Sequence, residues 1–441
     1  MRIGFIPIDN RPVCYTLPAL TAQVDTSVEL FLPPRELLGD LTKCADVSGI
    51  LAWLESLQNI DAFVVSLDTI AYGGLIPSRR SRDSIEEILE RLEKLKKVLA
   101  GKKVYAFSSI MRISNNNINQ EEKPYWDKWG TKIFEYSWNL HKENREIEGI
   151  PPEILEDYLI TRKRNFEINK IYLEWQKEGI FDTLIFSKDD CAQYGLNVQE
   201  ANALRALGAT VKTGADEIPL TLLARVLEGN YKINPVFLED SEKHLISNYE
   251  DISIEECVKN QIELAGMNVA KAADFDLYVN NFVDRQGEIV MNVLTEPFAG
   301  DWCKPEKPYA IADVRFANGS DNAFAGSMFE AGIGNLLGYS AWNTSANTLG
   351  SLLLAVKMTL NAKKKGTFNK DAFNELMLTR FLDDWAYQAN IRQTLVEPDC
   401  NELQEKMSPF ENQLRKIFPV YAQITYKFPW NRLFEVEIDF S

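Results

Sequence analysis

Two carboxylates stand side by side at Asp189 and Asp190, in "FSKDDCAQYG", where an apolar run gives way to a glycine-containing turn. Neighbours on a regular strand point to opposite faces, but where a strand breaks into a loop both can turn toward one space. Two like charges held there raise one pKa and leave the other group ionised, so one dipeptide supplies a proton donor and a charge stabiliser. These two are the candidate catalytic residues.

Other polar groups recur just after apolar runs. Asp9 and Arg11 follow the first, Asp68 and Tyr72 a later one, and Arg112 the next. Tyr194 follows the aspartate pair, and Asp216 trails "GATVKTG". Farther on come Asp313, Asn318 and Asp321, then Trp342, Asn343 and Asn347. All are candidate substrate-binding residues. Aspartate and asparagine also make turns and cap helices, which accounts for any one of these sites taken alone. Arg11, Arg112, Tyr72 and Trp342 do not suit that role, and their recurrence argues for a polar pocket.

Histidine usage narrows the chemistry. The chain has 2 histidines, His141 and His244, both in charged stretches. A Ser-His-Asp enzyme or a histidine-rich zinc site is therefore disfavoured, which leaves carboxylates, arginine, tyrosine and amides. Cys191 beside the acid pair reads as a small neutral neighbour. The 6 scattered cysteines form no CxxC pair and read as reduced thiols.

The elements that must position these groups are short apolar runs separated by amphipathic stretches. Runs at 2–8, 27–33, 61–67, 103–110, 181–187, 208–214, 275–281, 309–316 and 335–341 read as buried strands. Between them, "SIEEILERLEKLKKVLA" opens with Ser84 and Glu87 in capping-box spacing. Alternating strands and helices predict an α/β fold with parallel pairing. The strand count points to a (β/α)8-type barrel over residues 1–350, with a helical excursion at 113–180 and a helical plus strand extension over 351–441. A doubly wound, two-domain arrangement is the alternative. In both, ligand sites assemble at the carboxyl ends of the strands. The pair Asp383–Asp384 falls in a helical pattern and reads as surface charge beside packed Trp385 and Tyr387.

At 441 residues with 45% apolar content the chain can bury a large core. Its formal charge of −16 repels phosphate backbones and anionic lipid, so nucleic acid and membrane surfaces are poor partners. The start lacks secretory-signal features and no run approaches the ~20 apolar residues of a bilayer span. A cytoplasmic protein acting on a small molecule or glycan is the expectation, with the oligomeric state open.

Several long blocks resemble one bacterial family. "PIDNRPV", "SLDTIAYGGLIPSR", "KDDCAQYGL", "TGADEIPLTLLAR", "FANGSDNA", "GYSAWNTSANTLG", "RFLDDWAYQANIR" and "FPWNRLF" are similar, in order, to the signature blocks of domain of unknown function 4127. The resemblance spans essentially the whole chain and implies no catalytic assignment. Members of that family typically carry a second aspartate where this chain has Asn10, which leaves Asp9 and Arg11 as the stronger candidates in the first block. The order of an aspartate pair and a later Trp/Asn block is also similar in layout to O-GlcNAcase-like barrels. There one carboxyl polarises the substrate's acetamido group and its neighbour protonates the leaving oxygen. That layout implies a glycoside hydrolase or related sugar-processing enzyme without a cofactor, with Asp189 polarising and Asp190 as acid/base. The first alternative is a hydrolase or phosphoryl-transfer enzyme using Mg²⁺ or Mn²⁺ on Asp9, Asp68, Asp189, Asp190 and Asp313. The second is a non-catalytic binding protein for a sugar or amino acid.

Overall fold

The computed structural model describes residues 1–189 and 192–441, so Asp190 and Cys191 lie outside the described residues. Every apolar run named above contains a strand. β1 (Arg2–Ile6), β2 (Glu29–Phe31), β3 (Ala62–Ser66), β4 (Val104–Ile110), β5 (Thr183–Lys188) and β6 (Val211–Thr213) form one sheet in the order β2-β1-β3-β4-β5-β6. The pairings β1–β3, β3–β4, β4–β5 and β5–β6 are parallel. Farther along come β7 (Lys232–Phe237), β8 (Asn268–Val269), β9 (Phe275–Asn280), β10 (Gly287–Glu288), β11 (Tyr309–Asp313), β12 (Phe316–Ala317) and β13 (Leu336–Ser340). Five of these make a second sheet, β13-β11-β9-β7-β8, parallel throughout. The short β10 and β12 pair separately, and β14 (Ile424–Lys427) with β15 (Glu437–Phe440) closes an antiparallel hairpin.

The fold is thus α/β with parallel sheets, but the strands do not join into the eight-stranded barrel that their number suggested. They divide between two open sheets. The nine runs omit two strands of the second sheet, the two-residue β8 and β7, whose "KINPVF" contains Pro235, and proline lacks the N–H that a central strand needs. Its neighbour β8 pairs only with Lys232 and Ile233. Pro235 therefore lies past the end of β8, on a locally free edge, where a missing donor costs nothing. With β7 in place, the second sheet has its own first strand.

The chain falls into two compact units. The first comprises Met1–Tyr15, Leu30–Pro219 and Tyr249–Asp251; the second comprises Thr16–Glu29, Leu220–Asn248 and Ile252–Ser441. The sequence boundary placed near residue 350 falls inside the helix Ser345–Lys365. Numbered from its own first strand, each sheet follows the doubly wound order 2-1-3-4-5, and the first unit adds a sixth strand. Such sheets bind ligands where the strand order reverses. That point lies beyond the ends of β1 and β3 in the first unit, and of β7 and β9 in the second.

The core of the first unit shows how sequence pattern becomes packing. The helix Ile85–Leu99 starts with the expected Ser84–Glu87 capping box and buries Ile88, Leu92, Leu95 and Leu99 on one stripe. That stripe joins Phe63, Val65, Ala106 and Phe186 from the sheet. The excursion after β4 is two helices, Trp126–Glu143 and Pro152–Lys177. No helix among the described residues is long and apolar enough to cross a membrane.

Candidate functional site

In the first unit the sharp turn after β1 brings Asp9 and Arg11 together. Asp9 accepts the Arg11 backbone N–H at 3.0 Å and its Nε at 2.9 and 3.0 Å. The other side of the same guanidinium holds Asp216, just past β6, at 3.1 and 2.5 Å. One buried cation thus serves two buried carboxylates. Burial pushes the Asp216 carboxyl up, Arg11 opposes the rise, and the nearby Asp9 and Asp189 charges add to it.

Asp189 lies between two more guanidiniums. Arg79 Nη2 donates to it at 2.8 Å, and Arg112 Nη1 stands 3.7 Å away. The same two arginines clasp the acid pair after "NNNINQ": Glu122 at 3.4 Å from Arg79 and 3.0 Å from Arg112, Glu121 at 3.7 and 2.8 Å. Arg79 is only 1% exposed and sits on the short helix Leu75–Arg80 that follows Gly73–Gly74. A guanidinium at that depth persists only because carboxylates surround it.

Asp68 accepts from the Ser109 N–H at 2.8 Å and the Ser108 hydroxyl at 3.3 Å. Burial still raises it to about 6, against those bonds and the Arg79 charge. Glu217, fully buried beside Asp216, is pushed up to about 8 by burial, with the Asp216 and Glu250 charges adding to the rise. Its carboxylate folds back over the chain to accept the Ala215 N–H at 3.0 Å. That placement needs a glycine at 214: a Cβ there would lie 1.7 Å from Glu217 Oε1, and Gly214 has φ +119°. Finally Lys188, the last residue of β5, is bound to Asp251, which also accepts the Thr213 hydroxyl at 2.7 Å.

The second unit has a polar centre of its own. Asp313, ending β11, accepts Asn280 Nδ2 at 2.8 Å, the Asp321 N–H at 2.9 Å and the Tyr339 hydroxyl at 3.1 Å. Burial lifts it to about 7, with the Asp321 charge adding to the rise. Arg315 reaches Asn280 Oδ1 at 3.0 Å, Glu239 at 2.7 Å and the Glu296 carbonyl at 3.0 Å. Arg112 and Arg315 each stand two residues past the fourth strand of their sheet, since β4 ends at Ile110 and β11 at Asp313.

Over residues 3–439 the chain matches the family model described as a protein of unknown function, DUF4127. It belongs to that family. No curated protein matches it.

In this DUF4127 chain the predicted residues separate by unit. In the first, Asp9, Arg11 and Asp216 form one ion cluster, Arg112 and Asp189 join Arg79 in another, and Asp68 is bonded to Ser108 and Ser109. Tyr72 is buried in the core, with the Arg164 guanidinium 5.2 Å over its ring. Tyr194 packs edge-on against Trp138 at 5.1 Å and His141 at 5.4 Å. The called catalytic partner Asp190 lies outside the described residues. In the second unit Asp313 and Asp321 join the Arg315 centre, and Asp321 also caps the helix Asn322–Ala331. Asn318 and Asn343 adopt left-handed turns, φ 58° and 57°, and bond to each other through the Asn318 N–H and Asn343 carbonyl at 2.9 Å. Trp342 is 3% exposed, edge-on to Phe434, so its ring is enclosed by protein. The Asn347 backbone N–H donates to Thr344 Oγ1 in the first turn of a helix.

Asp383 and Asp384 are not surface charge. Both are buried, on a π-helical stretch Phe381–Ile391, with Arg380 at 2.8 Å from Asp383 and 3.5 Å from Asp384. The wider π turn defeats an argument based on α-helical faces. Arg79, the Glu121–Glu122 pair, Glu217, Lys188 and Asp251 were not singled out as site residues from the sequence. Arg79 lies in the block "YGGLIPSR", the one signal that could have drawn attention to it. Among the described residues no group of three or more His, Cys, Asp or Glu side chains is arranged to hold a metal ion. Of the carboxylates assigned to a hard cation, Asp9 and Asp189 already meet guanidiniums and Asp313 belongs to the other unit.

Proposed function

We propose that the first unit is a hydrolase of glycosidic bonds working at the carboxyl ends of β1, β5 and β6, with N-acetylhexosaminides as the substrate class. The observation that carries this reading is the placement of Asp189, the first of the two adjacent aspartates, at the end of β5 between two guanidiniums. Asp189 is met by the Arg79 and Arg112 guanidiniums at 2.8 and 3.7 Å, and burial drives the nearby Asp216 and Glu217 toward the protonated form.

In the reaction, Asp189 accepts the N–H of the substrate's acetamido group, and the acetamido oxygen attacks the anomeric carbon. The bond to the leaving oxygen breaks as an acid delivers a proton to it, the role that the sequence assigns to Asp190. Water then opens the cyclic intermediate and returns the proton to that acid. The test is release of nitrophenol from aryl N-acetylhexosaminides by the wild type and by Asp189→Asn, each with and without EDTA. Turnover by the wild type that survives chelation and falls at least ~100-fold in the variant supports the reading. Turnover abolished by EDTA, or unaffected by the substitution, refutes it.

A further inference from the structure

The centre of the first unit is closed over: Asp9, Arg11, Asp216 and Glu217 are all buried. Part of its cover arrives from far along the chain. Tyr249–Asp251 belongs to the first unit, although the residues on both sides of it belong to the second. Asp251 holds the Lys188 ammonium and the Thr213 hydroxyl, and those two residues end β5 and β6. Asp251 therefore ties the segment to the carboxyl ends of both strands, at the residues that immediately precede Asp189 and Gly214. Its Glu250 is buried close enough to act on Glu217. Tyr249 stands at φ 65°, a left-handed conformation that a bulky residue adopts only when its surroundings impose it. The Tyr249 side chain is nonetheless exposed. A strained residue thus adjoins a buried ionic anchor.

We propose that Tyr249–Asp251 is a strap over the carboxyl-end site of the first unit, latched by Asp251 on Lys188 and Thr213, and that its release admits ligand to Arg11 and Asp216. The latch does not depend on which reaction the site performs. Charge does the holding: a buried lysine needs its carboxylate, and Asp251 is placed to reach the last residues of two neighbouring strands at once. With that bond cut, the Tyr249 conformation has less to hold it, and the segment relaxes away.

Cys14 reports on the opening. Its buried sulfur lies 3.9 Å from Arg11 Nη2, whereas Cys257 is buried in the second unit and serves as the control. The full chain is treated with iodoacetamide and the labelling of each cysteine is read by peptide mass. Asp251→Asn is expected to speed labelling of Cys14 at least ~10-fold and leave Cys257 unchanged. Thr213→Val, which removes a single hydroxyl from the anchor, is expected to give a smaller rise in the same direction. Equal Cys14 rates in the wild type and both variants would show that the anchor holds nothing shut. A parallel rise at Cys257 would show general loosening, and either result overturns the strap.

Discussion

Replacing Arg11 with methionine is the sharpest test of the charged centre. The guanidinium makes two bonds from Nε to Asp9 and two from its Nη atoms to Asp216, at 2.5 to 3.1 Å, with its side chain 6% exposed. Methionine keeps much of the volume and removes every one of those bonds. Stripping one partner from a buried ion pair costs roughly 3–5 kcal/mol, because the charge left behind has neither water nor a counter-ion. Against a domain stability of about 5–15 kcal/mol, that is a large fraction. The loss must also depend on pH. Asp216 already sits above its ordinary value because burial outweighs Arg11; without Arg11 that opposition is lost, and it rises further. The folded variant then holds a proton that the unfolded chain has released, so its stability falls as pH climbs above the unfolded carboxylate value. Urea unfolding followed by tryptophan fluorescence at pH 5 and pH 8 should show a deficit at both, larger at pH 8. Arg11→Lys restores the charge without the two-sided fork and should recover less than half of the loss. A deficit below about 1 kcal/mol at both pH values would refute the claim that this arginine holds the centre together.

Two further outcomes follow from the same loop. Glu217 is raised to about 8, so the wild type loses stability as pH rises from the unfolded glutamate value toward 8. Glu217→Gln removes that titration: its urea midpoint should match the wild type near pH 5 and exceed it at pH 9, and parallel profiles would discount the buried acid. Gly214→Ala places a methyl group 1.7 Å from Glu217 Oε1 at a backbone φ of +119°. It should cost about 1–3 kcal/mol from the backbone alone, read as a lowered melting temperature. An unchanged melting temperature would mean that the glycine is not what lets the carboxylate fold back.

Much of this was legible before any coordinates, for reasons that can be named. Strands such as "DAFVVSL" and "FDTLIFS" are buried on both faces and therefore appear as uninterrupted apolar runs. The rule that sites gather at the carboxyl ends of parallel strands then places Asp9, Arg11, Arg112, Asp189 and Asp216 on one edge without knowledge of the closure. What stayed hidden was pairing at long range. Arg79 is a helix residue whose partner lies 110 positions away, and nothing local distinguishes it from the adjacent Arg80. Asp251 reaches Thr213 and Lys188 from outside the continuous stretch that builds the first sheet. Trp342 shows the converse: a ring whose type suggests a sugar platform is packed edge-on to Phe434.

The two sheets repeat one strand order. A parallel sheet constrains apolar character and turn positions, not residue identity, so two units can share the order 2-1-3-4-5 without alignable sequence. What does recur is chemical. An acid follows the first strand, Asp9 in one unit and Glu239 in the other, and an arginine stands two residues past the fourth, Arg112 and Arg315. In the second unit that arginine binds that acid directly, at 2.7 Å. In the first unit the acid is served by its own neighbour Arg11, which leaves Arg112 to share Asp189 and the Glu121–Glu122 pair with Arg79. The first unit thus gathers Arg79 and Arg112 around Asp189 beyond its strand ends, whereas Arg315 is engaged by Asn280, Glu239 and the Glu296 carbonyl. This difference in side-chain allocation, and not any difference in fold, is the argument for placing the chemistry in the first unit.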